Sequence, residues 1–365
     1  MTDARAAGKA LFEQWGGNPV SSDFAVHEQG TSIGITGIGT YLPPRVRTFA
    51  DTATMVGMPE QWVLERTGIR SRHVADDDQA TSDMAAQAVS SALMSAGLTA
   101  EQLGLILVAT TTPDEPCPST ACRVQGLIGA GQAVAMDVAA ACSGWLFAAK
   151  VAQAWLTSNP EVEHAVVVGS ETYSRFLNPG DRATAALFGD GAAATVVSRV
   201  AGGEGFAPII LGSDGSRGDF AWIPGGGSRI PASAETVRER SHTVHMDGRA
   251  ARVFVYEVFP KLVAEALART GTHPEELAAV VAHQPNPVLL RRAYANTALP
   301  PDKLVVTGDR VGNLGAGALP HALNEAAVSK KLVPGDKVLM VAFGAGLTWG
   351  STVLTWSGTA DHALS

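Results

Sequence analysis

The chain is short of the features that mark secreted, membrane-spanning or nucleic-acid-binding proteins. Three cysteines in 365 residues are an odd number and too few for a disulfide framework, so free thiols in a reducing cytoplasm are expected. No apolar run approaches the roughly 20 residues that cross a bilayer, so no membrane association is expected. The first thirty residues mix charge and polarity without the apolar core of a secretory leader. Positive charge is scarce: 27 Lys and Arg face 35 Asp and Glu, a formal net charge of −8. That balance excludes a general nucleic-acid or anionic-membrane surface. The nine histidines are scattered without metal-ligand spacing. Cys117 and Cys122 lack a second pair to complete a zinc site; both read as structural thiols, and no metal is expected. There is no G-x-x-x-x-G-K-[ST] phosphate loop, and neither "GITGIG" nor "GNLGAG" completes a dinucleotide fingerprint.

What is present is a globular composition, 46% apolar and 17% charged, on a chain long enough for two domains or for one domain built twice. Residues 1–30 read as an extension, with a short helical stretch broken at "GGNPVSSD". From "SIGITGIGTYLPP" onward, strands and helices alternate, which favours a layered α/β fold. "LGLILVATT", "AVAMDV", "HAVVVGS" and "GAAATVVSRV" are short apolar runs of the buried-strand kind. A helix is expected after Ser119 and another after Cys142, with apolar positions at Trp145, Leu146, Ala149, Ala152 and Leu156. A glycine-rich, irregular stretch follows near "GSDGSRGDFAWIPGGGSRIP". The alternation then resumes with a long helix near Phe254–Thr270, "LAAVVAH", a helix, "KLVVTGDR", a helix from Leu314, "KVLMVAFGAG" and "GSTVLTW".

The two halves read as one design used twice. A strand ends near Thr112 and Cys142 lies 30 residues on; a strand ends at His283 and Asn313 lies 30 residues on. If the halves pack about a pseudo-twofold axis, Cys142 and Asn313 occupy equivalent, facing helix starts, with His283 between them. A thiol at a helix N-terminus meets the positive end of the helix dipole, which favours thiolate. The alanine and glycine neighbours in "DVAAACSGWLFA" leave a substrate room to reach the sulfur. His283, in "AAVVAHQPNP", leaves the sheet at a strand's C-terminal end, where α/β folds place functional groups. Taken singly, each residue has a plainer use: a free cysteine packs as a small core residue, and an asparagine before a helix caps it. The matched spacing is what joins them.

These residues carry a family resemblance. "DVAAACSGWLFA", "AHQPN", "GNLGAGALPHAL" and "FGAGLTWGS" resemble the active-site segments of β-ketoacyl-acyl-carrier-protein synthase III, in the thiolase-like superfamily, and the likeness runs over roughly residues 31–357 in order and spacing. The resemblance implies a five-layered αβαβα fold of two related halves, 31–205 and 206–357, with a tail at 358–365, and a homodimer. It places the family's catalytic Cys, His and Asn on Cys142, His283 and Asn313. It also implies a second oxyanion hole from the N–H groups of Cys142 and Ala345, and an aromatic support at Phe343. In the reaction it implies, acyl-CoA acylates Cys142 and a malonyl thioester then condenses with loss of carbon dioxide. No bound cofactor is expected, since acyl-CoA enters as substrate.

"EQWVLERTGIRSRHV" resembles the segment whose Trp and Arg hold adenine, which maps to Trp62 and Arg66, with Arg182 of "GDRAT" as the partner arginine and Asn286 on the pantetheine arm. Arg70 and Arg72 read as solvated surface. Three departures stand out. Cys117 is small where the family has a bulky residue limiting the acyl tunnel across the dimer. Val288, Ala295 and Asn296 replace basic positions that serve carrier-protein docking, with Arg291 and Arg292 displaced nearby. The N-terminal extension is longer than the family core requires. Transfer of the acyl group from Cys142 to a hydroxyl or amine, without decarboxylation, is the competing reading; the presence of Asn313 favours condensation.

Overall fold

The computed structural model describes residues 31–358; the expected extension at 1–30 and residues 359–365 of the tail lie outside the described residues. Two five-stranded sheets form the frame. The first contains β1 (Thr31–Tyr41), β2 (Leu103–Ala109), β3 (Val134–Val138), β4 (His164–Glu171) and β5 (Gly191–Ala201), in the order β1-β5-β4-β2-β3. The second contains β6 (Gly205–Phe206), β7 (Ile210–Ser213), β8 (Leu277–Ala282), β9 (Lys337–Gly344) and β10 (Thr348–Thr355). It runs β8-β9-β10, with β6 and β7 both on the far edge of β10.

The pairing repeats from one sheet to the other. β2 and β4 are parallel, β4 and β5 antiparallel, and β5 and β1 antiparallel. β8 and β9 are likewise parallel, β9 and β10 antiparallel, and β10 and β7 antiparallel. The counterpart of β3 is vestigial. "KLVVTGDR", expected as a strand, makes one bridge, Val280 to Leu304. Beyond it the N–H groups of Thr307 and Gly308 donate to Gln284 Oε1 at 3.1 and 3.2 Å, so they are satisfied without a ladder.

Apolar runs with both faces buried account for the layers. Leu105 and Leu107 of β2 face inward and Ile106 and Val108 outward, as the two-residue strand period requires. Between the sheets lie two helices, α4 (Gly144–Ser158) and α7 (Ala318–Ser329). Trp145, Leu146 and Leu156 of α4 pack with Leu319 and Leu323 of α7 against both inner faces. Each large side chain so buried contributes roughly 1.5–3 kcal/mol. The outer face of the first sheet is covered by α2 (Thr81–Ala96) and α3 (Thr120–Ile128), through Met84, Val89 and Val124. The outer face of the second is covered by α5 (Gly248–Thr270) and α6 (Pro287–Tyr294), through Phe259, Leu262 and Leu290. The result is five layers, helix–sheet–helix–sheet–helix. One further helix, α1 (Glu60–Thr67), carries Trp62 and Arg66. Among the described residues no helix is long and apolar enough to cross a membrane.

Candidate active site

Beyond β3 the chain passes through a single 3₁₀ turn, Ala141–Ser143, into α4. Ala141 adopts φ +47°, a left-handed conformation costing a residue with a Cβ roughly 1–2 kcal/mol. This bend brings Cys142 to the head of the helix, where it keeps partial exposure while Ser143 is buried. The other half of the molecule pins the turn. Ser143 Oγ lies 2.8 Å from Ala140 O and 2.7 Å from Thr348 Oγ1, and Thr348 Oγ1 reaches Ala345 O at 3.0 Å. A Cβ on Gly344 would stand 2.7 Å from Cys142 N. Glycine at this position lets the backbone lie against the amide of Cys142.

His283 directly follows β8, is 3% exposed, and donates its backbone N–H to Val341 O at 2.9 Å. Phe343 meets the imidazole edge-on, with ring centroids 5.3 Å apart and planes at 84°. Among the described residues Nδ1 of His283 has no hydrogen-bond partner. Burial pushes the ring down to about 3, so it is neutral at ordinary pH and offers one N–H donor and one acceptor. Asn313 is held by the first half of the chain: its N–H donates to Leu187 O at 2.9 Å and its carbonyl accepts from Gly189 at 3.0 Å. Its side-chain Oδ1 accepts from the Gly315 N–H at 2.9 Å. That bond fixes the flip of the amide and leaves Nδ2 as a donor.

The heads of the two central helices abut, since a Cβ on Gly144 would lie 3.7 Å from Ala316 Cβ. Gly344 thus carries the Phe343–His283 pair to Cys142, and the Gly315–Gly317 turn carries Asn313 toward the same place. Cys142 and Asn313 are not, however, at equivalent positions. Cys142 is the middle residue of its turn, two residues before α4. The middle of the matching turn is Ala316, two residues before α7, and Asn313 lies three residues earlier. The second helix accordingly starts at Ala318, not at Leu314.

The electrostatics also depart from the helix-dipole expectation. Burial, and after it the negative charge of Glu171, pushes the Cys142 thiol up to about 12; a backbone hydrogen bond works the other way without winning. The resting sulfur is therefore protonated. Glu171, at the end of β4, is fully buried, and no local sequence pattern in "HAVVVGSE" marks it. Its carboxylate accepts from Thr112 Oγ1 at 2.7 Å, from Thr111 N and Oγ1 at 3.1 Å each, from Thr110 Oγ1 at 3.3 Å and from Ala316 N at 3.4 Å. Burial raises this carboxyl to about 7 against the opposing effect of those bonds.

The residues expected to hold CoA gather at the surface. The Arg182 guanidinium stands 5.8 Å over the Trp62 ring, a cation–π stack open to a purine. Arg66 and Asn286 both line a cavity of about 410 Å³ shared with Glu65, Arg252 and Arg292. Asn286 caps α6, its Oδ1 accepting from Leu289 N at 2.8 Å, which leaves its amide nitrogen for a ligand. A larger recess of about 500 Å³, lined by Arg45, Arg47 and Arg175, contains none of the candidate residues.

Cys117 and Cys122 are not packed structural thiols; both are exposed. Cys117 lies between two exposed prolines in the loop before α3, and Cys122 points outward from that helix. A tunnel wall at Cys117 therefore requires a second copy of the chain. Arg72, read as surface, is fully buried and donates to Thr52 Oγ1 and, at 2.9 Å, to Ala186 O.

Family models for 3-oxoacyl-[acyl-carrier-protein] synthase III match residues 136–215, and those for its C-terminal part match residues 267–356. The β-ketoacyl-[acyl-carrier-protein] synthase III of Caldanaerobacter subterraneus subsp. tengcongensis is 42% identical over 326 residues, covering 89% of this chain and 98% of its own. The crystal structure of the synthase III from Thermus thermophilus is similar with a TM-score of 0.82 at 37% identity, over 89% of this chain and all of the other. The priming β-ketosynthase of the R1128 polyketide pathway follows at 0.79 and 29%, over 88% and 96% of the two chains. With its five layers, its duplicated sheets and its near full-length match to these relatives, the chain belongs to the β-ketoacyl-acyl-carrier-protein synthase III family of the thiolase-like fold.

Proposed function

We propose that the chain is a condensing enzyme: acyl-CoA acylates Cys142, and decarboxylative Claisen condensation with a malonyl thioester yields a β-ketoacyl thioester. Cys142 Sγ attacks the thioester carbonyl, the bond to the CoA sulfur breaks, and CoA departs as the thiol. The N–H groups of Cys142 and Ala345 would receive the oxyanion, a role supported by the close packing of Gly344 on Cys142 N. Malonyl decarboxylation then breaks a carbon–carbon bond, releasing carbon dioxide and placing the electron pair in a thioester enolate. His283 and Asn313 donate to the enolate oxygen, each contributing about 3 kcal/mol in the transition state. The enolate carbon attacks the acyl-enzyme and expels Cys142. Phe343 fixes the imidazole plane.

The observation that carries the reading is the Asn313 amide, whose Oδ1 is engaged by the Gly315 N–H so that Nδ2 is left to donate; the buried imidazole of His283, edge-on to Phe343, supports it. Transfer to a hydroxyl or amine needs the acyl-enzyme but has no use for such a pair. Trp62 and Arg182 would take the adenine of CoA, and Arg66 and Asn286 the arm below it. A carrier protein bringing the malonyl group would meet Arg252 and Arg292 at the cavity rim; these supply the charge that Val288, Ala295 and Asn296 do not. The small Cys117 suits an acyl starter of unusual size, as in specialised metabolism, in a cytoplasmic homodimer.

Intact-mass and carbon dioxide measurements test the assignment. Cys142→Ala abolishes the acyl adduct. His283→Ala and Asn313→Ala still acylate but lose about 100-fold in malonyl decarboxylation. Equal loss of both half-reactions in all three variants, or an acyl-enzyme that never decarboxylates malonyl thioester, refutes it.

A further inference from the structure

Glu171 closes β4 with a charge that the condensation reading, on which this inference rests, does not use. An ionised carboxylate taken out of water costs several kcal/mol unless its oxygens are well satisfied. Here every bonded partner is a neutral donor, and the donors come from both halves of the molecule. Three threonines, Thr110, Thr111 and Thr112, reach it from the end of β2, and Ala316 N–H reaches it from the turn before α7. That same turn orients Asn313 through the Gly315 N–H. Its packing on the carboxylate is close: a Cβ on Gly315 would stand 2.8 Å from Glu171 Cγ.

Ala316, whose N–H meets the carboxylate, also abuts the head of α4: its Cβ would lie 3.7 Å from a Cβ on Gly144, two residues after Cys142, and the charge of Glu171 acts to raise the thiol. The one other titratable group facing the carboxylate among the described residues is Tyr173, whose hydroxyl is 2.7 Å from Thr111 Oγ1. Among the described residues no cation is paired with this carboxylate.

We propose that Glu171 is a positioning residue for both half-reactions: it fixes the Gly315–Gly317 turn that orients Asn313, and it supplies the negative charge against which Cys142 must ionise. A cysteine so placed stays protonated and unreactive toward stray electrophiles until a thioester is seated above it.

The test is the pH profile of Cys142 alkylation by iodoacetamide, followed by intact mass in full-length protein with the exposed Cys117 and Cys122 replaced by serine. Glu171→Gln keeps the shape and removes the charge. Its profile moves about one pH unit to the acid side, an acceleration of about tenfold below the midpoint. Its malonyl decarboxylation falls about tenfold more than its acylation, because the turn under Asn313 loses part of its anchor. Thr112→Val removes the shortest bond to the carboxylate, which then protonates more readily, so it shifts the profile the same way by less. It serves where Glu171→Gln fails to fold. An unchanged profile in the folded Glu171→Gln protein, or in Thr112→Val if that is the folded variant, overturns the proposal. The alkylation readout needs no substrate; a parent protein that alkylates normally but neither acylates nor decarboxylates would instead overturn the condensation reading.

Discussion

Ala141–Ser143 and Gly315–Gly317 each carry the chain into a central helix, and each contains a residue with positive φ, Ala141 at +47° and Gly315 at +55°. Their surroundings differ. Gly315 lies on Tyr173 and Glu171, where a Cβ would come within 2.6 Å of the tyrosine ring, and a Cβ on Gly169 would meet Ala316 O at 2.3 Å. At Gly315 there is no room for a side chain, so glycine meets both the dihedral and the contact. The turn before α4 has room for the Ala141 methyl, and there the chain accepts left-handed strain. A residue with a Cβ has fewer unfolded conformations to lose than glycine, which suits a turn that must hold one sulfur in place. Where the backbone must lie against packed side chains, glycine is used; where a side chain must be presented, strain is borne and anchored from outside by Ser143 and Thr348.

The contrast is most sharply broken at Gly315. Gly315→Ala meets both an unfavourable φ and a clash, and is expected to cost about 2–4 kcal/mol, lowering the calorimetric Tm by about 3–5 °C. A Tm within a degree of the parent would show that the turn yields easily. Gly344→Ala attacks the other turn from across the molecule. Its new methyl presses on Cys142 N, and single-turnover acylation should slow about tenfold for a displacement of the order of 1 Å at the nucleophile. Unaltered acylation would mean the Gly344 contact does not position the sulfur.

The neutral state of His283 gives a smaller, pH-based test. Because burial holds the ring near 3, malonyl decarboxylation in Glu171→Gln, which lacks the carboxyl raised to about 7, should change less than about twofold from about pH 5 to about pH 8. A limb at the ordinary histidine value would mean that the imidazole titrates in the working enzyme. Ala141→Gly should matter least. It removes about 1 kcal/mol of strain and adds about 0.5–1 kcal/mol of unfolded-state entropy, so the Tm should stay within about 2 °C of the parent. A larger drop would show that the methyl itself is packed.

Much of this frame was legible in the chain. The strands announced themselves as apolar runs because both faces of each sheet are covered, and Cys142 and His283 stand just beyond two of them. The helix starts were less legible: a 3₁₀ turn separates Asn313 from α7, and no periodicity marks such a turn. Arg72 escaped because its polar partners, Thr52 and Ala186, come from distant parts of the sequence. Glu171 escaped for the same reason, since a single acid at the end of "HAVVVGSE" has no local pattern and its donors lie on β2 and at Ala316. The stack of Arg182 on Trp62 joins residues 120 positions apart, and only the family resemblance pointed to it.

The Cys142 turn is completed by Gly344 and Thr348, which flank the last hairpin of the chain. A ribosome that has released the polypeptide only through α4 has exposed the nucleophile without the partners that shape it. Such a fragment carries a sulfur but no oxyanion pocket and no imidazole. The Cys142 turn is therefore complete only once β9 and β10 have been made, and a fragment ending before them is expected to be inert.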